Sequence, residues 1–182
     1  CIHDALLIDN TGAFRDRESL ARHLQSKGVG KVLLTAPGKG DIPNVVYGVN
    51  QDTLDLENEK IFSAASCTTN AIVPGLQVMQ NNFGIIKGHI ETIHSYTNDQ
   101  NLLDNYHKKE RRGRSAALNM VITETGAGKA AAKALPELKG KLTSNAVRVP
   151  TPDVSLAVLA LDLERETTVE EVNEAFRIAC LK

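Results

Sequence analysis

The first third of the chain alternates short apolar runs with a helix-patterned segment, and this alternation limits the possible folds more than any other feature. Ala5-Leu6-Leu7-Ile8-Asp9 is a continuous apolar run closed by the turn-forming Asn10-Thr11-Gly12, as expected of a strand buried on both faces. Leu20, Ala21 and Leu24 then recur at helical spacing among charged residues, up to Gly28 as a natural stop. Lys31-Val32-Leu33-Leu34-Thr35 reads as the next buried strand, and Val45-Val46-Tyr47 and Lys60-Ile61-Phe62-Ser63 as two more. Strand, helix, strand in this order predicts a parallel, doubly wound α/β sheet, in which ligands bind at the carboxyl ends of strands. Asn10-Thr11-Gly12 and Thr35-Ala36-Pro37-Gly38 lie at those ends; small residues there admit close approach of a ligand, and they equally make ordinary turns.

The next segment carries the strongest chemical signal. Ser63-Ala64-Ala65-Ser66-Cys67-Thr68-Thr69-Asn70 leads into Ile72, Leu76, Met79 and Phe83, spaced as one apolar helix stripe. A cysteine at a helix start meets unsatisfied N–H groups and the positive end of the dipole, the setting of a nucleophilic thiolate. A small buried cysteine beside a Ser/Thr cap fits the same pattern. Pro74 predicts a helix that either begins near Ala71 or bends.

Lys87 to Tyr96 reads as extended, with a polar break at Thr97-Asn98-Asp99-Gln100 that places His94 near a strand end. The other four histidines lie in more polar or helical settings. Tyr106 to Arg114 gathers Lys108, Lys109, Arg111, Arg112 and Arg114 against Glu110, and is expected to be a solvated or subunit-contact loop rather than a nucleic-acid surface. Thr125-Gly126-Ala127-Gly128-Lys129-Ala130-Ala131 imitates a dinucleotide fingerprint but lacks the acidic residue expected about 20 residues later. What it retains is a seat for an anion at a helix N-terminus, or simply a Thr cap. Val154 to Leu163 is long enough for a central strand covered on both faces, and Thr167 with Glu170 forms a capping-box pattern ahead of a helix with Val169, Val172, Phe176 and Ala179 on one face.

Composition excludes several classes. The 182 residues carry a formal net charge of -1, with 42% hydrophobic and 24% charged residues, which is neither a nucleic-acid footprint nor a disordered chain. Three cysteines far apart make no disulfide framework and fit a reducing, cytoplasmic compartment. No apolar run reaches the roughly 18 residues of a membrane span, and there is no signal-peptide pattern at the start. No metal-ligand set is assigned. The chain opens on Cys1-Ile2-His3-Asp4 and runs almost at once into a strand, as a piece of something longer would.

Taken in order, these segments resemble the phosphorylating glyceraldehyde-3-phosphate dehydrogenase family along essentially the whole chain. The matching residues are Asn10-Thr11-Gly12-Ala13-Phe14, Thr35-Ala36-Pro37, Tyr47-Gly48-Val49-Asn50, Ala65-Ser66-Cys67-Thr68-Thr69-Asn70, Ile93-His94-Ser95, Arg111-Arg112-Gly113-Arg114, Thr125-Gly126-Ala127 and Arg148-Val149-Pro150-Thr151-Pro152-Asp153-Val154. The resemblance implies an α/β fold: the second half of a Rossmann-type doubly wound domain, residues 1–66, then most of an α+β catalytic domain with a mixed sheet, residues 67–182. It implies NAD-dependent oxidation of glyceraldehyde 3-phosphate to an acyl phosphate, with Cys67 as nucleophile and His94 as general base. Thr97 and Arg148 match the residues that hold the substrate's phosphate, and Ser66, Thr68, Thr125 and Gly126 those around inorganic phosphate. Asn10, Thr11, Gly12, Phe14 and Thr35 match part of the NAD pocket. A homotetramer without membrane or nucleic-acid partners is implied as well.

Two departures shape the expectations. Asp99 stands where the family usually has a second hydroxyl, and a carboxylate there is expected to repel a phosphate; the related erythrose-4-phosphate dehydrogenases share an Asp at this place and form the alternative reading. The family's N-terminal glycine-rich fingerprint and its C-terminal strands and helix have no counterpart in this sequence, so the 182 residues alone are expected neither to bind NAD tightly nor to turn over. A noncatalytic chain that keeps the fold for assembly or interaction is the reading from another class.

Overall fold

The computed structural model describes residues 2–181, which form two compact units: the chain up to Val78 with Lys133–Pro136, and Met79–Ala132 with Glu137 onward. Cys1 and Lys182 lie outside the described residues.

The first unit holds a three-stranded parallel sheet in the order β1-β2-β3, with β1 at Ala5–Asp9, β2 at Val29–Leu34 and β3 at Ile61–Ser63. Helix α1, Arg17–Ala21, starts on an Asp16 cap that accepts from Ser19 N–H and continues as a 3-10 turn over Arg22–Gln25. Its core is Leu20, Val32, Leu34, Ile42 and Ile61, with Leu7, Phe14 and Leu24 packed against it. Two expectations are corrected here. Strand β1 lies at the edge of this sheet, and Leu6 and Ile8, which share one of its faces, are exposed rather than covered. Val45-Val46-Tyr47 makes no strand: Asn50 Oδ1 accepts from Val46 N–H and Asn50 Nδ2 donates to the Asn44 carbonyl, so a side chain takes the groups a sheet partner would need. Only an isolated bridge, Asn44 to Ser63, remains.

Helix α2 spans Cys67–Phe83, so of the two expected arrangements the start near Ala71 is replaced by an earlier start that takes Pro74 into the helix, with Ser66 Oγ accepting from Thr69 N–H at 3.0 Å. Pro74 therefore lies inside the helix, where its missing N–H leaves the Asn70 carbonyl without the usual helical bond.

The second unit is built on a mixed four-stranded sheet in the order β5-β6-β4-β7, from β4 (Ile85–Ser95), β5 (Val121–Thr123), β6 (Leu142–Val149) and β7 (Leu156–Leu163). Strands β4 and β6 run parallel, and β7 and β5 pair antiparallel to them. Phe83, Ile85, Ile90, Leu138 and Ala146 are buried in this unit. Helix α3 is Ala127–Ala134 and α4 is Val169–Ala179. Strand β7 is not central as expected: it is at the sheet edge, and Leu156 and Val158 are exposed. An apolar run alone does not distinguish a covered strand from an edge whose neighbour lies on one side. The capping box of α4 is Thr168 with Glu171, one residue beyond the expected pair, and its apolar stripe is only partly covered, with Val172 and Ala179 half-buried and Val169 and Phe176 exposed.

Candidate active site

In the first unit the cysteine turn is made without a charged side chain. The chain leaves β3 through Ala65, a non-glycine residue at φ 59°, and Ser66 caps α2 through both its backbone and its hydroxyl: Asn70 N–H donates to Ser66 O at 2.9 Å and Thr69 N–H to Ser66 Oγ. Cys67 is the first residue of α2 and is exposed, with Thr68 beside it half-buried. This places the thiol where helix N–H groups and the dipole act on it.

The carboxyl ends of β1 and β2 carry the residues expected at a cofactor edge. Asn10, Thr11, Gly12 and Thr35 are exposed. Thr11 is held inward: its N–H and hydroxyl donate to Asp9 Oδ1 at 2.9 and 2.7 Å, and its Oγ1 accepts from Ala13 N–H. What faces outward is backbone, at Gly12 with φ 74° and open space where a Cβ would be. Phe14 serves the core instead, half-buried and edge-on to His23. Asp9 is buried and contacts His23 Nε2 at 2.9 Å. Burial pushes the Asp9 carboxyl up, but donation from Thr11 and His23 outweighs it and holds the group below its ordinary value.

The second unit gathers charged groups at the end of β4. His94 and Arg148 are register partners on the parallel pair β4 and β6. Arg148 Nη1 lies 2.8 Å from His94 Nδ1 and donates to Ser95 O at 2.9 Å and to Thr97 Oγ1 at 3.2 Å. His94 Nδ1 is also 2.7 Å from Ser95 O. Arg148 can only donate, so Nδ1 either accepts from Arg148 or, with both Nη1–H groups on Ser95 and Thr97, donates to Ser95 O; the second tautomer leaves Nε2 as the basic nitrogen. Thr97 in turn donates to Asp99 Oδ1 at 2.5 Å, and Asp99 Oδ2 accepts from Arg112 Nη1. Arg112 is the residue sequence reasoning missed. Its basic loop is expected to be solvated or to make a subunit contact, yet Arg112 is buried within the chain, bonded to Thr123 Oγ1 as well as to Asp99. It also pairs with Asp99: burial raises that carboxyl, Thr97, Arg112 and Arg148 more than offset it, and the carboxylate charge is matched by a guanidinium.

Thr125 and Gly126 precede α3 in the second unit. Thr125 Oγ1 accepts from Ala127 N–H at 3.2 Å, and Ser144 Oγ on β6 accepts from Gly128 N–H and donates to Thr125 O. A Cβ at Gly126 would meet nothing within 4 Å, so the approach to this helix start is open. The structure thus brings His94, Thr97 and Arg148 into one cluster, groups Ser66, Cys67 and Thr68 at one helix start, and sets Thr125 and Gly126 at another.

Comparison with known proteins agrees with this anatomy. Residues 66–182 match the family model of the glyceraldehyde 3-phosphate dehydrogenase C-terminal domain. The chain is 62% identical over 176 residues to a glyceraldehyde-3-phosphate dehydrogenase-like protein of Pseudomonas aeruginosa, covering 97% of this chain and 38% of that protein. It is 55% identical over 174 residues to the chloroplastic glyceraldehyde-3-phosphate dehydrogenase A of Zea mays, covering 96% and 43%. Against the glyceraldehyde-3-phosphate dehydrogenase of Geobacillus stearothermophilus it is 49% identical over 174 residues, covering 96% and 52%. The chain therefore spans between 38% and 52% of the length of these relatives. A matching catalytic-domain model and near-complete coverage of the chain at this identity lead to one conclusion: the chain belongs to the glyceraldehyde 3-phosphate dehydrogenase family.

Proposed function

We propose that the chain carries the thiol chemistry of an NAD-dependent, phosphorylating aldehyde dehydrogenase acting on glyceraldehyde 3-phosphate. The observation that carries this reading is the Arg148 guanidinium bonded to Thr97 and set against His94, which joins an anion-binding fork to a base in one cluster. Cys67 Sγ adds to the aldehyde carbon to give a hemithioacetal, its N–H-rich helix start favouring the oxyanion. His94 Nε2 takes the hemithioacetal hydroxyl proton as hydride departs, leaving a thioester. NAD, when bound, supplies the hydride acceptor; Asn10, Gly12 and Thr35 offer it exposed backbone and hydroxyl at strand ends, while Thr11 shapes the loop and Phe14 backs it from the core. Inorganic phosphate, seated by Ser66, Thr68, Thr125 and Gly126, then attacks the thioester carbon and releases the thiol as an acyl phosphate forms. Thr97 and Arg148 hold the substrate's own phosphate.

A cytoplasmic homotetramer is part of the same reading, supported by the uncovered apolar side chains of β7 and α4. No helix among the described residues is long and apolar enough to cross a membrane. Asp99 is the observation that favours erythrose 4-phosphate instead, but its charge is matched by Arg112 and so does not stand against a triose phosphate.

The test is competitive alkylation with iodoacetamide. Cys67 is expected to react much faster than Cys180, although both thiols are exposed, and His94→Asn is expected to remove the difference. Equal rates in the unaltered chain would favour the noncatalytic reading.

A further inference from the structure

Ser63 ends β3 with no exposure at all, yet it is polar. A buried hydroxyl is costly unless it is fully bonded. Its Oγ–H donates to the Ala36 carbonyl at 2.6 Å, with Asn44 Oδ1 as a second acceptor at 3.1 Å. The same oxygen accepts from Ala65 N–H at 2.9 Å and from Gly38 N–H at 3.3 Å. One side chain thus joins the loop after β2, at Ala36, to the turn after β3, at Ala65, while Gly38 N–H is shared with Asn44 Oδ1 at 2.9 Å.

The fit leaves little freedom. A Cβ at Gly38 would lie 2.6 Å from Ile42 Cγ2 and 3.3 Å from Ser63 Cβ, so that loop can sit this close only as glycine. Ala65 is 4% exposed and adopts φ 59°, a region costly for a residue with a Cβ. Its N–H bond to Ser63 helps to hold that conformation, and the conformation decides where Ser66 can cap α2 and where Cys67 stands.

We infer that Ser63 is a positioning residue: its buried hydroxyl fastens the strand-end loop at Ala36–Gly38 to the turn that presents Cys67. The inference rests on the reading of Cys67 as nucleophile and adds to it a mechanical link between the cofactor edge and the thiol. Nothing in the link requires a charge, so it acts through geometry alone.

The experiment uses the chain itself. Iodoacetamide alkylation of Cys67 is measured relative to Cys180 in the same molecule by peptide mass spectrometry, alongside amide hydrogen exchange. In Ser63→Ala the ratio is expected to fall about fivefold, near what one net hydrogen bond is worth, with the Ala65 amide exchanging faster and the Gly38 amide, still bonded to Asn44, changing less. Ile61→Val, on the same strand, weakens packing without touching the hydroxyl and is expected to leave the ratio unchanged. A folded Ser63→Ala chain with an unchanged ratio overturns the inference, as does an equal fall in Ile61→Val. If Ser63→Ala does not fold, Ala65→Gly decides: it accepts the same φ but frees the turn, and its ratio must fall about twofold; no change overturns the inference. Should Cys67 of the unaltered chain react no faster than Cys180, the nucleophile reading fails and takes this inference with it, whereas a ratio that survives Ser63→Ala overturns the positioning role alone.

Discussion

The turn that presents Cys67 and the strand end that presents His94 are made of opposite materials. Residues 63–70 contain no charged side chain, and their geometry comes from hydroxyls, backbone amides and one helix start. The end of β4 is set by long ionic side chains, Arg148, Asp99 and Arg112, bonded in series through Thr97. Geometry of the first kind follows from packing and is indifferent to salt. Geometry of the second kind responds to pH and ionic strength, because charged groups in a partly wet site are screened and titrate. A thiol nucleophile gains from a fixed frame; a site for phosphates gains from charges that can be shared with the ligand.

The contrast is sharpest under substitution. Leu34 is fully buried beneath the first sheet, so Leu34→Ala is expected to cost about 2–5 kcal/mol in urea unfolding, and to abolish the fast alkylation of Cys67 near the midpoint. A smaller loss is expected at the ionic cluster. Arg112→Gln, which leaves the Asp99 carboxylate unmatched beside Thr97 and Arg148, should weaken binding of a phosphate monoester about tenfold, one charge-assisted interaction, followed by phosphorus NMR, while Asp99→Asn, which frees the Arg112 guanidinium, should tighten it about threefold. Both effects should shrink in 1 M salt, to roughly a 3 Å screening length; persistence there would show that the cluster acts through shape, as the cysteine turn does. Thr168→Ala removes the capping box of α4 and is expected to cost about 1 kcal/mol of local helix stability, read by hydrogen exchange of α4 with no change in either site.

The smallest expected effect is on pH dependence. The carboxyls of Asp9 and Asp99 are both held below their ordinary value of 3.8. Each therefore adds stability that is present above that value and is lost as pH falls through it toward the lower folded value. Asp9→Asn and Asp99→Asn should each flatten the acid limb of the stability curve, with only the second also altering phosphate binding.

Much of the fold follows from local pattern, and the exceptions have physical causes. Strands β1, β2 and β3 and helix α1 come from apolar runs and spacing. The false strand at Val45-Val46-Tyr47 came from the same rule, because the competitor was the carboxamide of Asn50, whose two backbone bonds leave no periodic trace. Pro74 left two starts open for α2, and the Ser66 cap selects the earlier one, with tertiary packing carrying the helix past the proline. In the Thr167-Thr168-Val169-Glu170-Glu171 stretch two overlapping frames satisfy the capping-box pattern, and only coordinates choose Thr168 with Glu171. Cys67, His94, Thr97 and Arg148 were all named from sequence, but the ionic chain through Asp99 to Arg112 could not be, since it joins residues that periodicity treats as surface.

The position of β7 bears on how the chain behaves in solution. Among the described residues its outer side has no paired strand, while Leu156 and Val158 are exposed beside that open edge. A bare edge with alternating apolar side chains is a template for adding a strand from another molecule. Within the strand the charge is carried by Asp162, near its far end. Colloidal stability of the isolated chain should therefore depend on concentration through this edge, and a lysine in place of Val158 is the change expected to keep it dispersed.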